Sequence, residues 1–463
     1  MAASQATDGR LKKEQVRCLA LEGGGGKGFA FVGALTALQN PLGVLQYQTP
    51  ELSPYLTHYK PAWLPAGVNQ SQRLVGQIKG VSGASAGAIT AFLLSCGYSP
   101  DDIVAIMDGY DFNQFFEPPT PRVVPTLSLD FTSSDPTGGE VRKTEGEAPS
   151  GTAATLKAAA VVAIATALFP PAAVAASVGS LTAAGATALF DRLLKAAPDL
   201  LQLYADLTKT SGLHPMQMLL RHLPQYLDFL PIDMGLFPGY QARRFFAEAL
   251  AAKFPSATGT PNFNASFRAH YNFFGVKLAV TGTNLETGKS QLFSNDTTPF
   301  FPVADAIRIS MGLPLVYKPL VIRKEELGGI LPPWVAGVWV DGGYLNNLPI
   351  AAFDSDKEAG EPADTLGLRL EEDTRTEIAD FSDMLKVWPV GFGLMGVGES
   401  GISESWGSDS RTIRLATPGL SLLNFKPDPK ARQEAVSLAN QKTLEYFGAE
   451  AVSMEPQEVN IPR

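Results

Sequence analysis

The sequence predicts an α/β protein built on a mostly parallel sheet with both faces covered. Two stretches, 17–39 and 75–97, share one grammar: a short apolar strand, a turn of small residues, then a helix with apolar residues at helical spacing. Strands that alternate with helices need crossover connections, and these lay helices over a parallel sheet. The composition supplies a large enough core, since 45% of the 463 residues are apolar and 18% are charged.

Each element follows from its own residues. RCLALE (17–22) is a strand, GGGGKG (23–28) a loop and FAFVGALTALQ (29–39) a helix. VGQIKGVSG (75–83) is a strand that turns directly into AGAITAFLLSCG (86–97). A third helix opens at SPDDIVAIM (99–107), where Ser99 can cap, Pro100 fits the first turn and two aspartates suit the helix dipole. Composition then changes. Residues 118–157 are rich in Pro, Ser, Thr, Gly and charge, and read as a flexible loop. Lys157 and Asp191 enclose 33 uncharged residues broken at Pro170-Pro171, so 158–195 reads as an apolar helical hairpin. Together 118–234 form an insertion within a single domain spanning 15–450.

Regular grammar resumes with a turn and amphipathic helix at LFPGYQARRFFAEALAAKF (236–254). VKLAVTGTNLETGKSQLFS (276–294) is two strands around Glu286-Thr287-Gly288. PVADAIRISMGLPLVYKP (302–319) is a helix ended by Gly312 and Pro314. VAGVWVDGGYLNNLPI (335–350) is a strand running into a glycine turn. DTLGLRL (364–370) and RTIRLAT (411–417) are late strands, and 429–449 is a helix closed by Gly448.

Bulk charge narrows the partners. A net charge of −9 argues against nucleic acid. Cys18 and Cys96 sit in apolar runs, as buried free thiols do. The first residues carry no apolar signal core, so the expectation is a cytoplasmic or peripherally membrane-associated protein, or one exported without a cleaved signal.

The chemistry centres on Gly83-Ala84-Ser85-Ala86-Gly87, a G-x-S-x-G pattern between strand and helix. Gly83 and Gly87 suit a turn that brings backbone too close for side chains. A serine hydroxyl is a weak nucleophile until a base takes its proton. Histidine is a common partner, but after His270 the last 193 residues hold none. His58, His214, His222 and His270 have no motif around them and no paired metal-ligand spacing, so they read as structural or surface residues. Asp341 is the better base. The apolar strand GVWV ends at it, and Gly342 and Gly343 let the backbone turn away. In parallel sheets the carboxyl ends of strands line the functional crevice, which is where Ser85 and Asp341 would meet. The plain alternative for Ser85 is a capping serine in a tight turn, and Asp341 taken alone reads first as an ordinary Asp-Gly turn.

The third piece is EGGGGKG, Glu22 to Gly28. Its consecutive glycines leave backbone amides that suit an oxyanion or a phosphate. The stretch fits G-x-G-x-x-G from Gly23 to Gly28. A Walker A loop would need Ser or Thr after Lys27, where Gly28 stands. Only the oxyanion reading uses all three pieces.

EGGGGKG, GASAG and DGG, in this order, resemble the patatin-like phospholipase family. GTNLETGKSQLFSN, AIRISMGLPLVYKP and the tail from Gly419 to Phe447 are similar to its intervening and closing segments. The resemblance covers about 15–117 and 235–450. It implies a three-layer α/β/α sandwich with a mostly parallel central sheet, here carrying the Ala-rich helical insertion. It also implies a Ser85–Asp341 dyad without histidine, an oxyanion hole from amides near Gly24, Gly25 and Gly26, and no metal or other cofactor. Its implied substrates are fatty-acyl esters of membrane and storage lipids, met at a membrane or micelle interface. Glu22 departs from the family's usual aspartate, and the insertion is a second departure. Interface contact would fall to 158–190 or to Met384–Val397, for both of which burial in the core is the plain alternative. Three further readings stay open: acyl transfer by the same dyad, membrane insertion of the hairpin, and an effector activated by a protein partner that orders 118–157.

Overall fold

The computed structural model describes residues 10–51, 53–118, 120–138, 141–143, 230–258, 260–354, 364–371, 409–420 and 427–449. The expected hairpin at 158–195 and the stretch 384–397 lie outside these described residues.

An eight-stranded mixed sheet organises the described chain. Its strands are β1 (Cys18–Leu21), β2 (Gly80–Gly83), β3 (Lys277–Asn284), β4 (Lys289–Ser294), β5 (Leu320–Ile322), β6 (Gly337–Asp341), β7 (Thr365–Glu371) and β8 (Thr412–Ala416). The order is β5-β6-β3-β2-β1-β7-β8, with β4 paired to β3. The run from β3 through β8 is parallel. β4, β5 and β6 join antiparallel. The α/β class with a mostly parallel central sheet therefore holds.

The longer helices are α1 (Phe29–Gln39), α2 (Ala86–Ser95), α3 (Pro100–Gly109), α4 (Tyr240–Lys253), α5 (Phe267–Phe274), α6 (Val303–Ser310) and α7 (Pro429–Tyr446). At the start of α3 the Ser99 cap read from the sequence forms, and Asp102 completes it as a reciprocal box. The Asp102 amide donates to Ser99 Oγ at 3.2 Å and the Ser99 amide to Asp102 Oδ2 at 3.0 Å, a cap worth about 1 kcal/mol. Helix α5 has no counterpart in the sequence reading. The strand expected over 75–83 is shorter, because Arg73–Val75 pairs instead with Gln46–Gln48 and Gly76 turns the chain at φ 86°.

β1 shows how the sheet is covered. Leu19 and Leu21 enter the main core with α1 and α2, whereas Cys18 and Ala20 meet Leu348, Ile350 and Phe353. A strand's side chains alternate between faces, so both faces of β1 are dry. A second packing centre lies around Phe245 of α4. Trp63, Tyr110, Phe112 and Phe115 surround it with ring centroids 4.6–5.6 Å away, each pair adding about 0.5–1.5 kcal/mol to its area burial.

Part of the stretch read as loop is tied to the domain. Val123–Pro125 pairs with Val141–Lys143. Arg243 donates to Pro136 O at 2.7 Å, and Asn264 Nδ2 to Asp130 O at 2.6 Å. Lys318 bonds Val123 O and pairs with Asp233 at 2.7 Å. Among the described residues no helix is long and apolar enough to cross a membrane.

Candidate active site

Three turns meet at one edge of the sheet because of strand register. Leu21 lies beside Gly83 and Gly83 beside Val280, so the glycine loop and the G-x-S-x-G turn leave the sheet side by side. β3 continues past that level to Asn284, and β6 pairs with this overhang, placing Asp341 opposite Gly282. The sequence argument put Asp341 at the carboxyl end of a parallel strand. It does end its strand, but β6 runs antiparallel. The carboxylate reaches the crevice because β6 enters from beyond the edge and stops two residues above the level of Gly83.

Ser85 sits between β2 and α2 with φ 49° and ψ −122°, a conformation rare for a side-chain-bearing residue. The flanking glycines allow it. A Cβ on Gly83 would stand 2.3 Å from Gly87 O, and one on Gly87 would stand 2.2 Å from Leu21 O. Ser85 itself is partly exposed at the N-terminus of α2.

Asp341 is 4% exposed, and the Ser85 side chain is near enough to lower its pKa. The Gly343 amide donates to its Oδ1 at 2.8 Å. Burial pushes its pKa up to about 7, against the lowering effect of the Gly343 amide and the Ser85 hydroxyl. Gly342 passes so close to β3 that a Cβ there would lie 2.0 Å from Thr281 Oγ1.

The glycine loop is held at its start and open in its middle. The Gly23 amide donates to Asn347 O at 3.0 Å, and Asn347 Nδ2 returns a bond to Gly23 O at 3.2 Å. Gly25–Gly28 then form one 3-10 turn, with Lys27 and Gly28 buried and the Lys27 amide bonded to Gly24 O. The amides of Gly24, Gly25 and Gly26 come before the turn's first internal bond, and have no backbone acceptor among the described residues. The structure thus brings Ser85, Asp341 and the glycine loop together. Asn347, which ties that loop to the turn after Asp341, was missed. The Asn-Asn-Leu-Pro run after Asp341 was visible, but its partner is 324 residues away.

Glu22 has a role that its extra methylene permits. Its Oε2 accepts the Leu370 amide at 2.6 Å and its Oε1 lies 3.6 Å from Arg369 Nε, so it pins the base of the glycine loop to β7. Glu22→Asp is expected to lose about 1–3 kcal/mol of stability and to melt several degrees lower. An unchanged melting temperature would show that the Leu370 bond contributes nothing.

The histidines described lie elsewhere. His270 is fully buried on α5, with Nε2 2.9 Å from Ser95 Oγ, and burial pushes its pKa down to about 3. His58 bonds Ser71 at 3.1 Å. His214 and His222 lie outside the described residues.

The chain matches the family model for patatin-like phospholipases over 19–134 and 150–354, including part of the stretch that its motifs leave unmatched. It is 25% identical over 85 residues to a protein of Invertebrate iridescent virus 6 named a probable lipid hydrolase. That match takes in 18% of this chain and 25% of the relative's length. Among solved structures it is similar to VipD from Legionella pneumophila, with 17% identity over 94% of this chain and 67% of that one, at a TM-score of 0.41. It is also similar to ExoU, solved with SpcU, from the type III secretion system of Pseudomonas aeruginosa: 16% identity over 95% of this chain and 54% of that one, at a TM-score of 0.33. The family model takes in more than half of the chain and all three turns of the site, and on that ground this protein belongs to the patatin-like phospholipase family.

Proposed function

We propose that the protein is a lipid acyl hydrolase that cleaves fatty-acyl esters of phospholipids or other glycerolipids, with Ser85 as nucleophile and Asp341 as its base. The observation that carries this reading is a partly exposed serine on a strained turn, brought by strand register to the same edge of the sheet as a buried carboxylate whose pKa its side chain lowers. An ordinary carboxylate, with a pKa of about 4, is a poor base toward an alcohol. One raised to about 7 is poised as an imidazole would be. Family membership and the name given to the viral relative point the same way.

In this mechanism Ser85 Oγ attacks the ester carbonyl carbon while Asp341 takes its proton. The oxyanion receives hydrogen bonds from the amides of Gly24, Gly25 and Gly26, and the N-terminus of α2 favours the same negative charge. Asp341 returns the proton to the departing alcohol, leaving an acyl ester on Ser85. Water then gives a proton to Asp341 and attacks that ester. Collapse releases the fatty acid and restores the serine. Each proton passes through Asp341, first from Ser85 to the alcohol and then from water back to Ser85, so the reaction needs no third group.

The test is to incubate the purified protein with mixed phospholipid and neutral-lipid vesicles and identify products by mass. Wild type is expected to release free fatty acid with the matching deacylated lipid, and Ser85→Ala to release neither. Equal release by both would reject the reading. Acyl chains moved onto another lipid, without free acid, would convert it to acyl transfer.

A further inference from the structure

We propose that Ser310 is a positioning residue, and that the turn Ser310–Gly312 at the end of α6 sets the spacing of Ser85 and Asp341 through their main-chain amides. The inference rests on the reading of these two as nucleophile and base, and adds the element that holds them in register. The Ser85 amide donates to Ser310 Oγ at 3.1 Å. The Asp341 amide donates to Gly312 O at 2.9 Å. One short segment thus grips both partners, although they end different strands.

Two features make this more than a packing contact. First, Ser85 occupies a strained conformation, which persists only where its surroundings over-determine it. The Ser85 amide meets a side-chain hydroxyl rather than a main-chain carbonyl. Removing that oxygen leaves the Ser85 amide without its acceptor, and the Ala84–Ser85 peptide can rotate to find another, carrying the nucleophile with it. Second, α6 is an anchored reference. Asp305 is bonded twice by the buried Arg243 guanidinium at 2.9 Å. Arg308, also buried, donates to Pro238 O and Lys318 O. Ser310 itself is fully buried. A hydroxyl on so fixed a helix can hold the strained turn in one place.

The experiment compares the full-length wild type with Ser310→Ala, Ser85→Ala and Ser95→Ala on a soluble short-chain ester, reading kcat, KM, the pH profile and thermal melting. Ser95 is equally buried and hydrogen-bonded but lies at the far end of α2. Ser310→Ala is expected to lose kcat roughly 10- to 100-fold with KM within about twofold of wild type. Its acid-limb midpoint should rise, because a displaced Ser85 hydroxyl no longer lowers the pKa of Asp341. Ser95→Ala should melt lower yet keep its kcat and midpoint. If the alanine variant does not fold, Ser310→Cys keeps the volume, weakens the acceptor and should give the same signature. Wild-type kcat and midpoint in the Ser310 variant, with Ser85→Ala inactive, overturn the positioning role alone. An active Ser85→Ala overturns the hydrolase reading beneath it. A kcat loss shared by Ser310→Ala and Ser95→Ala at equal destabilisation makes the effect general and also overturns the proposal.

Discussion

Replacing Ser85 with alanine or Asp341 with asparagine is expected to lower ester turnover by about 10⁴-fold or more in each case. The size follows from the division of labour. Without Ser85 no acyl ester forms. Without an ionisable Asp341 the hydroxyl keeps its proton, and no described histidine stands close enough to replace it, since His270 bonds Ser95 and His58 bonds Ser71. In the proposed mechanism the two act as one unit, so the double variant should be no slower than the slower single variant. Both replacements are close in volume to the originals, and the variants should melt cooperatively. Residual turnover can be followed by titrating released acid from a short-chain ester. A double variant far slower than either single one would show that the two side chains act independently.

The second large effect is a pair of opposed pH dependences. Turnover per encounter should climb as pH rises through about 7 and then level, because only the ionised Asp341 accepts the serine proton. Stability should run the other way. An unfolded aspartate titrates at about 3.9, whereas Asp341 in the folded chain titrates at about 7. The folded state therefore holds this proton more tightly. Its contribution is full below about pH 4 and is lost as pH rises from about 4 to 7. A gap of roughly three pH units corresponds to a penalty on the order of 4 kcal/mol at alkaline pH. Asp341→Asn, which carries no charge to desolvate, should be more stable than wild type at pH 8 and lose that advantage toward pH 4. Urea denaturation of both proteins at several pH values reads this directly. Glu117 is partly buried and its pKa is also raised, but it is common to both proteins and cancels in the comparison. A stability difference that does not change with pH would mean that burial does not govern Asp341.

Most of the site was legible because its requirements are local. The strand, turn and helix around Ser85 follow from apolar spacing on either side of small residues. Gly83 and Gly87 are needed wherever the chain bends this sharply, since a Cβ on either would strike a carbonyl oxygen. The cap at Ser99 likewise depends on residues three apart. Period and turn chemistry carry such information without reference to the rest of the fold. The direction of β6 is a different matter. An alternating apolar strand reads the same whether its neighbour is parallel or antiparallel, so only pairing with the overhang of β3 settles where Asp341 lands. The grips on the three turns are similarly hidden: Asn347 on Gly23, Glu22 on Leu370, and Ser310 on Ser85. Each joins residues hundreds of positions apart, and a hydroxyl, amide or carboxylate acquires its partner only when the sheet has brought those distant segments within about 3 Å.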